Sequence, residues 1–264
     1  MKKITKMALA ASLLVGGIAS TQACSLGAWD DNASSTSLAG GPADPINVFA
    51  RYQGLCAMQT AGATPQVLNN GINGATSGPA GEASMIARFY FLPGAATGPI
   101  FTTYSDDAAT TAIYTVSYDG TNVTVTPAGG TAVNVPVGPT NWHSVEVKWA
   151  NNGGAIDVWV DSDATVDPAD ASTTSAATAD TIQAGILGGT AGMIFDAYES
   201  RRTTSVGRLV VGDASGDGSV DISDVTNIVD DVFGTPSTGT PDCDENGVVD
   251  ISDVTCAVDI VFGA

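Results

Sequence analysis

Residues 213–234 read DASGDGSVDISDVTNIVDDVFG, and residues 242–263 read DCDENGVVDISDVTCAVDIVFG. The second run repeats the first at an offset of 29 residues, with 14 of 22 positions identical. Self-similarity of this kind marks a duplicated structural unit. Each copy opens with twelve residues whose oxygen-bearing side chains fall at positions 1, 3, 5, 9 and 12, with glycine at 6. In the first copy these are Asp213, Ser215, Asp217, Asp221 and Asp224, with Gly218. In the second they are Asp242, Asp244, Asn246, Asp250 and Asp253, with Gly247. Position 7, Ser219 or Val248, offers a backbone carbonyl. Carboxylates crowded in this way repel one another unless a dication sits among them. A hard cation takes six to eight oxygens, and the glycine allows the sharp turn that gathers them. The spacing therefore predicts two calcium ions, one per loop.

An amphipathic helix follows each loop. Val225, Ile228, Val229, Val232 and Phe233 recur at helical spacing, as do Val254, Ala257, Val258, Val261 and Phe262. Each set predicts a single apolar stripe. Val220 and Val249, both at position 8, are placed to pair the loops as a short bridge. Between the copies, residues 235–241 are Pro, Thr, Ser and Gly, a turn-and-spacer composition. Position 12 is Asp where an EF-hand has Glu, and no helix enters either loop.

Tandem loop–helix units of this kind resemble a type I dockerin module, over residues 213–263. The resemblance implies a small calcium-loaded module that docks onto a cohesin-like partner and tethers secreted polysaccharide-related proteins. In that family, recognition uses hydroxyl residues at loop positions 10 and 11 and basic residues along the helix. Here positions 10 and 11 are Ile222-Ser223 and Ile251-Ser252, and residues 213–264 contain no Lys or Arg. Ser223 and Ser252 are the matching partner-binding candidates. The cellulosomal specificity does not carry over.

Upstream, short strand candidates alternate with Gly, Pro, Asn and Asp turns, at 46–52, 84–92, 100–104, 112–118, 122–126, 142–149, 155–161, 181–187, 193–199 and 207–211. Val145, Val147 and Trp149 alternate with Glu146 and Lys148. Period two with one polar face predicts an antiparallel sandwich. The runs WHSVEVKW (142–149), DVWVD (157–161), ILGG (186–189) and IFDAYESRR (194–202) resemble a laminin-G-like or concanavalin-like jelly roll. That resemblance implies sugar binding, protein binding or glycan hydrolysis, and the fold does not choose among them. The chain is expected to be mainly β: a jelly-roll β-sandwich over 24–211, then a small α-helical paired calcium-loop module over 212–264.

Hydrolytic members of that fold class place two carboxylates on one strand face at a set separation. Asp157 and Asp161 have Trp159 between them, Glu146 neighbours Lys148, and no E-x-D-x-x-E run occurs. No catalytic residue is assigned. His143 reads as structural. Trp159, Tyr90 and Tyr114 read first as packing, and otherwise as a sugar-stacking face. Asp106-Asp107 and the acids of 161–170 read as turn formers, with weak cation alternatives in 161–170 and at Asp196 with Glu199.

Lys2, Lys3 and Lys6 precede an apolar run from Met7 to Ala19 and a small-residue site ending at Ala23. Residues 1–23 therefore read as a secretory signal peptide, and the run is too short to span a bilayer. An exported chain with four cysteines reads as two disulfides, Cys24–Cys56 and Cys243–Cys256 by spacing, out of three pairings. A lipid anchor at Cys24 is the alternative, although Thr21 and Gln22 fit such a signal poorly. Acids outnumber bases 28 to 9, and losing residues 1–23 takes the net charge from −19 to −22. Such a surface repels phosphate backbones, which excludes nucleic acid as a partner. The sequence thus describes a secreted or cell-surface protein, calcium-bound and attached through its tail, with a carbohydrate- or protein-binding sandwich. A glycan-active hydrolase or lyase, or a purely structural surface protein, are the alternatives.

Overall fold

The computed structural model describes residues 36–39, 51–54, 57–60, 66–68, 82–106, 110–151, 154–175, 181–184 and 193–263, with backbone alone in 36–39, 58–60, 66–68 and 181–184. Residues 1–23, Cys24, Cys56, Asp107 and the strand candidates at 46–50 and 185–187 lie outside the described residues.

The chain is mainly β. Its strands are β1 (Thr36–Ala39), β2 (Ala57–Thr60), β3 (Gln66–Leu68), β4 (Ser84–Leu92), β5 (Gly98–Tyr104), β6 (Ala112–Tyr118) and β7 (Asn122–Pro127). They continue with β8 (Val133–Pro136), β9 (His143–Ala150), β10 (Ala155–Val160), β11 (Ala171–Thr174), β12 (Thr181–Ala184) and β13 (Ile194–Arg201). Two antiparallel sheets result, in the orders β1–β2–β13–β4–β9–β10–β11 and β3–β12–β5–β6–β7–β8. A hairpin at Tyr118-Asp119-Gly120-Thr121 joins β6 to β7. There the Asp119 carboxylate accepts the Thr121 and Asn122 amides at 2.8 and 2.7 Å.

Alternation builds the core. Met85, Ala87, Phe89 and Phe91 from β4 and Val145, Val147 and Trp149 from β9 point into the main cluster, fully buried. Phe89 stacks between Phe101 at 5.0 Å and Phe195 at 4.9 Å, one ring from each sheet. Each such side chain contributes about 1.5–3 kcal/mol of transfer free energy.

The other face of β4 and β9 departs from the expected solvated pattern. Arg88, Tyr90, Ser144 and Glu146 are all buried, at 4%, 0%, 4% and 3% exposure. What covers them is the segment after β13. Residues 207–211, read from sequence as a strand, form no ladder. Gly207 has φ +84, off the strand conformation. Side chains satisfy the backbone of the segment instead. Glu146 accepts the Val206 and Gly207 amides at 3.0 and 2.8 Å, and the Tyr90 hydroxyl accepts the Leu209 amide at 2.8 Å.

Helices α1 (Ile222–Val232) and α2 (Ile251–Phe262) follow the two loops. Asp221 and Asp250 cap them, and Asp224 and Asp253 complete each capping box. Ile228, Ala257, Ala214, Val249 and Cys243 form a small core between the repeats. The stripes end earlier than the sequence implied: Phe233 and Phe262 are 84% and 70% exposed. No ladder joins Val220 to Val249. The Cys243–Cys256 disulfide is present, with Cα atoms 5.8 Å apart. Among the described residues no helix is long and apolar enough to cross a membrane.

Glu146→Ala is expected to lower the stability of the full chain by about 2–4 kcal/mol, because it strands two buried amides. Urea unfolding followed by tryptophan fluorescence measures this.

Candidate metal centre

The second loop gathers Asp242, Asp244 and Asp253, each with a carboxylate oxygen within 4.8 Å of the others. Asp253 lies at the start of α2 and is fully buried. Its two oxygens accept the Asp244 amide at 3.1 Å and the Asp250 amide at 2.8 Å. Position 12 thus ties both ends of the loop to the helix. Asp242 is 2% exposed. One of its oxygens accepts the Gly247 amide at 2.8 Å, and the φ of +90 that presents this amide is one glycine adopts most easily. The other, Oδ1, is buried with no hydrogen-bond partner. An orphaned anionic oxygen in a buried site is costly, and a cation satisfies it.

Electrostatics agree with the geometry. Burial, and then the neighbouring Asp253, push the Asp242 carboxyl from 3.8 up to about 8. The Asp253 carboxyl is raised as well, first by burial. The loop is thus built to hold more negative charge than it can keep ionised by itself. The residues present fit calcium: hard oxygen donors only, carboxylates converging, and a deprotonated state that needs a counter-charge.

The remaining second-loop candidates sit near this cluster with other duties. Asn246 donates from its side chain to Asp244 at 2.9 Å, and its carbonyl oxygen accepts the Val248 amide at 2.8 Å. Asp250 caps α2 through the Ser252 amide at 2.7 Å. The Ser252 hydroxyl bonds both Asp244 and Asp250. Ser252, expected as a partner contact, thus turns its hydroxyl inward onto acids of its own loop.

The first loop is arranged differently. Asp213 spends its oxygens on the Gly216, Asp217 and Gly218 amides and the Ser215 hydroxyl. Asp224 accepts the Ser215 and Asp221 amides, and Asp217 folds onto the Ser219 amide and hydroxyl. Asp221 caps α1 through the Ser223 amide at 2.7 Å. Position 3 of the first loop is Ser215, where Asp244 completes the second cluster, and its fourth acid stands at position 5 as Asp217.

The supposed spacer is structural. Gly239 and Thr240 are buried and pair with Ala214 and Asp213. A Cβ on Gly239 would stand 2.0 Å from the Asp213 carbonyl oxygen, so only glycine fits.

In the sandwich, the other candidates are absorbed by packing. His143 is 3% exposed and lies between Asp161 at 2.8 Å and the Gly138 carbonyl at 2.7 Å. Asp157 accepts the Ser172 hydroxyl at 2.7 Å. Asp196, buried and pushed up to about 6, accepts the Tyr52, Gln53 and Ala197 amides. Trp159, Tyr90 and Tyr114 are 7%, 0% and 0% exposed, so they make no sugar-stacking face. The acids of 161–170 hold turn amides and hydroxyls.

No protein-family model matches the chain, and no curated protein sequence does. Solved structures similar to it include a sialidase, at 12% identity and TM-score 0.41, covering 60% of this chain and 16% of that one. Domains LG4-5 of the mouse laminin α1 chain share 11% identity, TM-score 0.38, over 63% of this chain and 48% of theirs. Domain 4 of AbnA, an extracellular arabinanase of Geobacillus stearothermophilus solved with arabinotriose, shares 12%, TM-score 0.36, over 63% and 82%. This chain thus spans 16% and 48% of the first two, and the likeness is one of sandwich shape alone.

Without calcium, Asp242 has a folded pKa of about 8 above an ordinary 3.8, so its stabilising contribution is full below about 4 and is lost as pH rises through 8. Melting in EGTA is therefore expected to fall in temperature from about pH 5 to about pH 9. Saturating calcium should remove or reverse that slope, and calorimetry in buffers of different ionisation enthalpy should show proton release on binding.

Proposed function

We propose that the protein is an exported calcium-binding module-and-sandwich, in which residues 213–263 hold two calcium ions and present a docking face to a partner. The observation that carries the calcium reading is the buried, unpartnered Oδ1 of Asp242 beside Asp244 and Asp253. The metal ligands are those of the two loops: Asp213, Ser215, Asp217, Ser219, Asp221 and Asp224, then Asp242, Asp244, Asn246, Val248, Asp250 and Asp253. When bound, calcium supplies the positive charge that keeps these carboxylates ionised and close. The chain's own groups orient the loops through the capping boxes and, in the second, the disulfide.

A dockerin-like attachment role is supported by apolar side chains left outside. Ile222 and Ile251 are 61% and 69% exposed at equivalent positions, and Phe233 and Phe262 repeat the pattern at the helix ends. Repeated exposed apolar residues mark an interaction face more than scattered ones do. Ser223, next to Ile222 in the chain, is exposed as well. The cohesin-like partner is accordingly one that meets an apolar, base-free surface. The sandwich is the carried module, which binds a neutral carbohydrate or a protein, since a net charge of −19 disfavours anionic ligands. Export through residues 1–23 places this at the cell surface or outside.

Calorimetric titration of the full chain is expected to give two calcium ions, and Asp242→Asn one. Absence of any binding would sink the reading. Phe233→Asp with Phe262→Asp is expected to abolish calcium-dependent retention on envelope fractions while both ions still bind.

A further inference from the structure

The two repeats differ at eight of 22 positions, and the structure gives four of these differences a purpose. Ala214/Cys243 and Asn227/Cys256 make the disulfide of the second copy. Gly216/Glu245 and Asp231/Ile260 concern the sandwich. Glu245, at position 4 of the second loop, accepts the Tyr52 hydroxyl at 2.7 Å and an Arg208 guanidinium nitrogen on both oxygens at 2.6 Å. Its backbone carbonyl accepts the Trp142 amide at 2.9 Å. Tyr52 in turn stacks on Tyr90 with centroids 3.7 Å apart and meets the edge of Trp142 at 5.5 Å. Asp231, on α1, pairs with Arg51, and both side chains are buried, at 0% and 4% exposure. Asp231 also accepts the Ser237 amide at 2.9 Å. The Gly54 amide closes the seam on the Thr238 and Gly239 carbonyls.

Glu245 has φ +58, a left-handed conformation, and the first copy has glycine at that place with φ +77. Glycine is the easier residue for this backbone. A glutamate there is held against local preference, and its side chain spends every contact on the sandwich. We propose that the second calcium loop is a brace for the sandwich: the ion fixes Asp244 and the loop around it, which sets Glu245 to hold Tyr52, Arg208 and Trp142 in place. The module is then part of the sandwich's folding unit, where the sequence suggested a tethered tail. Calcium loss opens the aromatic cluster of Tyr52, Tyr90 and Trp142. This rests on the calcium reading above and adds Glu245 as its positioning residue.

Hydrogen exchange on the full chain, with calcium occupancy measured calorimetrically on the same sample, tests the brace. In EGTA the Trp142 amide is expected to exchange about tenfold faster or more, while the Val147 amide of the central sheet changes little. Glu245→Gly, the first repeat's own residue, should still bind two ions and keeps the carbonyl that takes the Trp142 amide, yet without the carboxylate on Tyr52 and Arg208 its Trp142 exchange should respond to calcium much less than in the unaltered chain. Tyr52→Phe keeps the stack and removes one bond to Glu245, and should give a partial response. Calcium bound with unchanged Trp142 exchange in the unaltered chain would overturn the brace and leave the calcium reading standing. No calcium bound would overturn the calcium reading itself.

Discussion

A carboxylate-bearing side chain, Asp242, with one oxygen buried and unpaired is the constraint on which this molecule turns. Among the described residues no donor reaches that oxygen, and Asp253 and Asp244 stand close enough to oppose the ionisation of Asp242. A dication relieves all three acids together. The same loop is fastened on every side. Asp253 is the third residue of α2 and closes its capping box, Cys243 is bonded to Cys256 on that helix, and Glu245 reaches the sandwich. Local charge and global packing therefore meet in twelve residues.

That arrangement links the second loop to the β-sandwich through covered polar groups. The outer face of β4 and β9 carries Arg88, Tyr90, Ser144 and Glu146, a pattern that would suit water. Instead residues 205–212 lie over it, with their amides taken by Glu146 and Tyr90. Buried acids and bases here are paired or hydrogen-bonded, as they must be in a low-dielectric seam. Arg51 with Asp231 and Arg208 with Glu245 join module to sandwich at two separate points. Removing one partner from the buried Arg51–Asp231 pair leaves a buried charge alone, which is far more costly than losing a surface ion pair, whereas Arg208 and Glu245 are partly exposed.

Much of this was legible in the sequence. The loop spacing located Asp242, Asp244 and Asp253, the helical period located α1 and α2, and alternation located β4, β6, β7, β9 and β10. Residues 207–211 looked like a strand because Leu209 and Val211 alternate, but their amides find side-chain acceptors in place of a ladder. Strands β1, β2, β3, β8 and β11 are only three or four residues long, too short for a period to register. Phe233 and Phe262 fit the stripe by spacing, yet each lies at or past the last turn of its helix, beyond the small core. The seam was invisible for another reason: Arg51 and Tyr52 lie far along the chain from their partners Asp231 and Glu245. The one signal available was the disagreement between the repeats at Gly216/Glu245 and Asp231/Ile260.

The most direct measurement is a crystal structure of the full chain grown with calcium. An ion is expected in the second loop, bound by Asp242 Oδ1, Asp244 and Asp253, with Glu245 still on Tyr52 and Arg208. An empty second loop, or an ion there with Glu245 turned to solvent and the module released from the sandwich, would contradict that expectation.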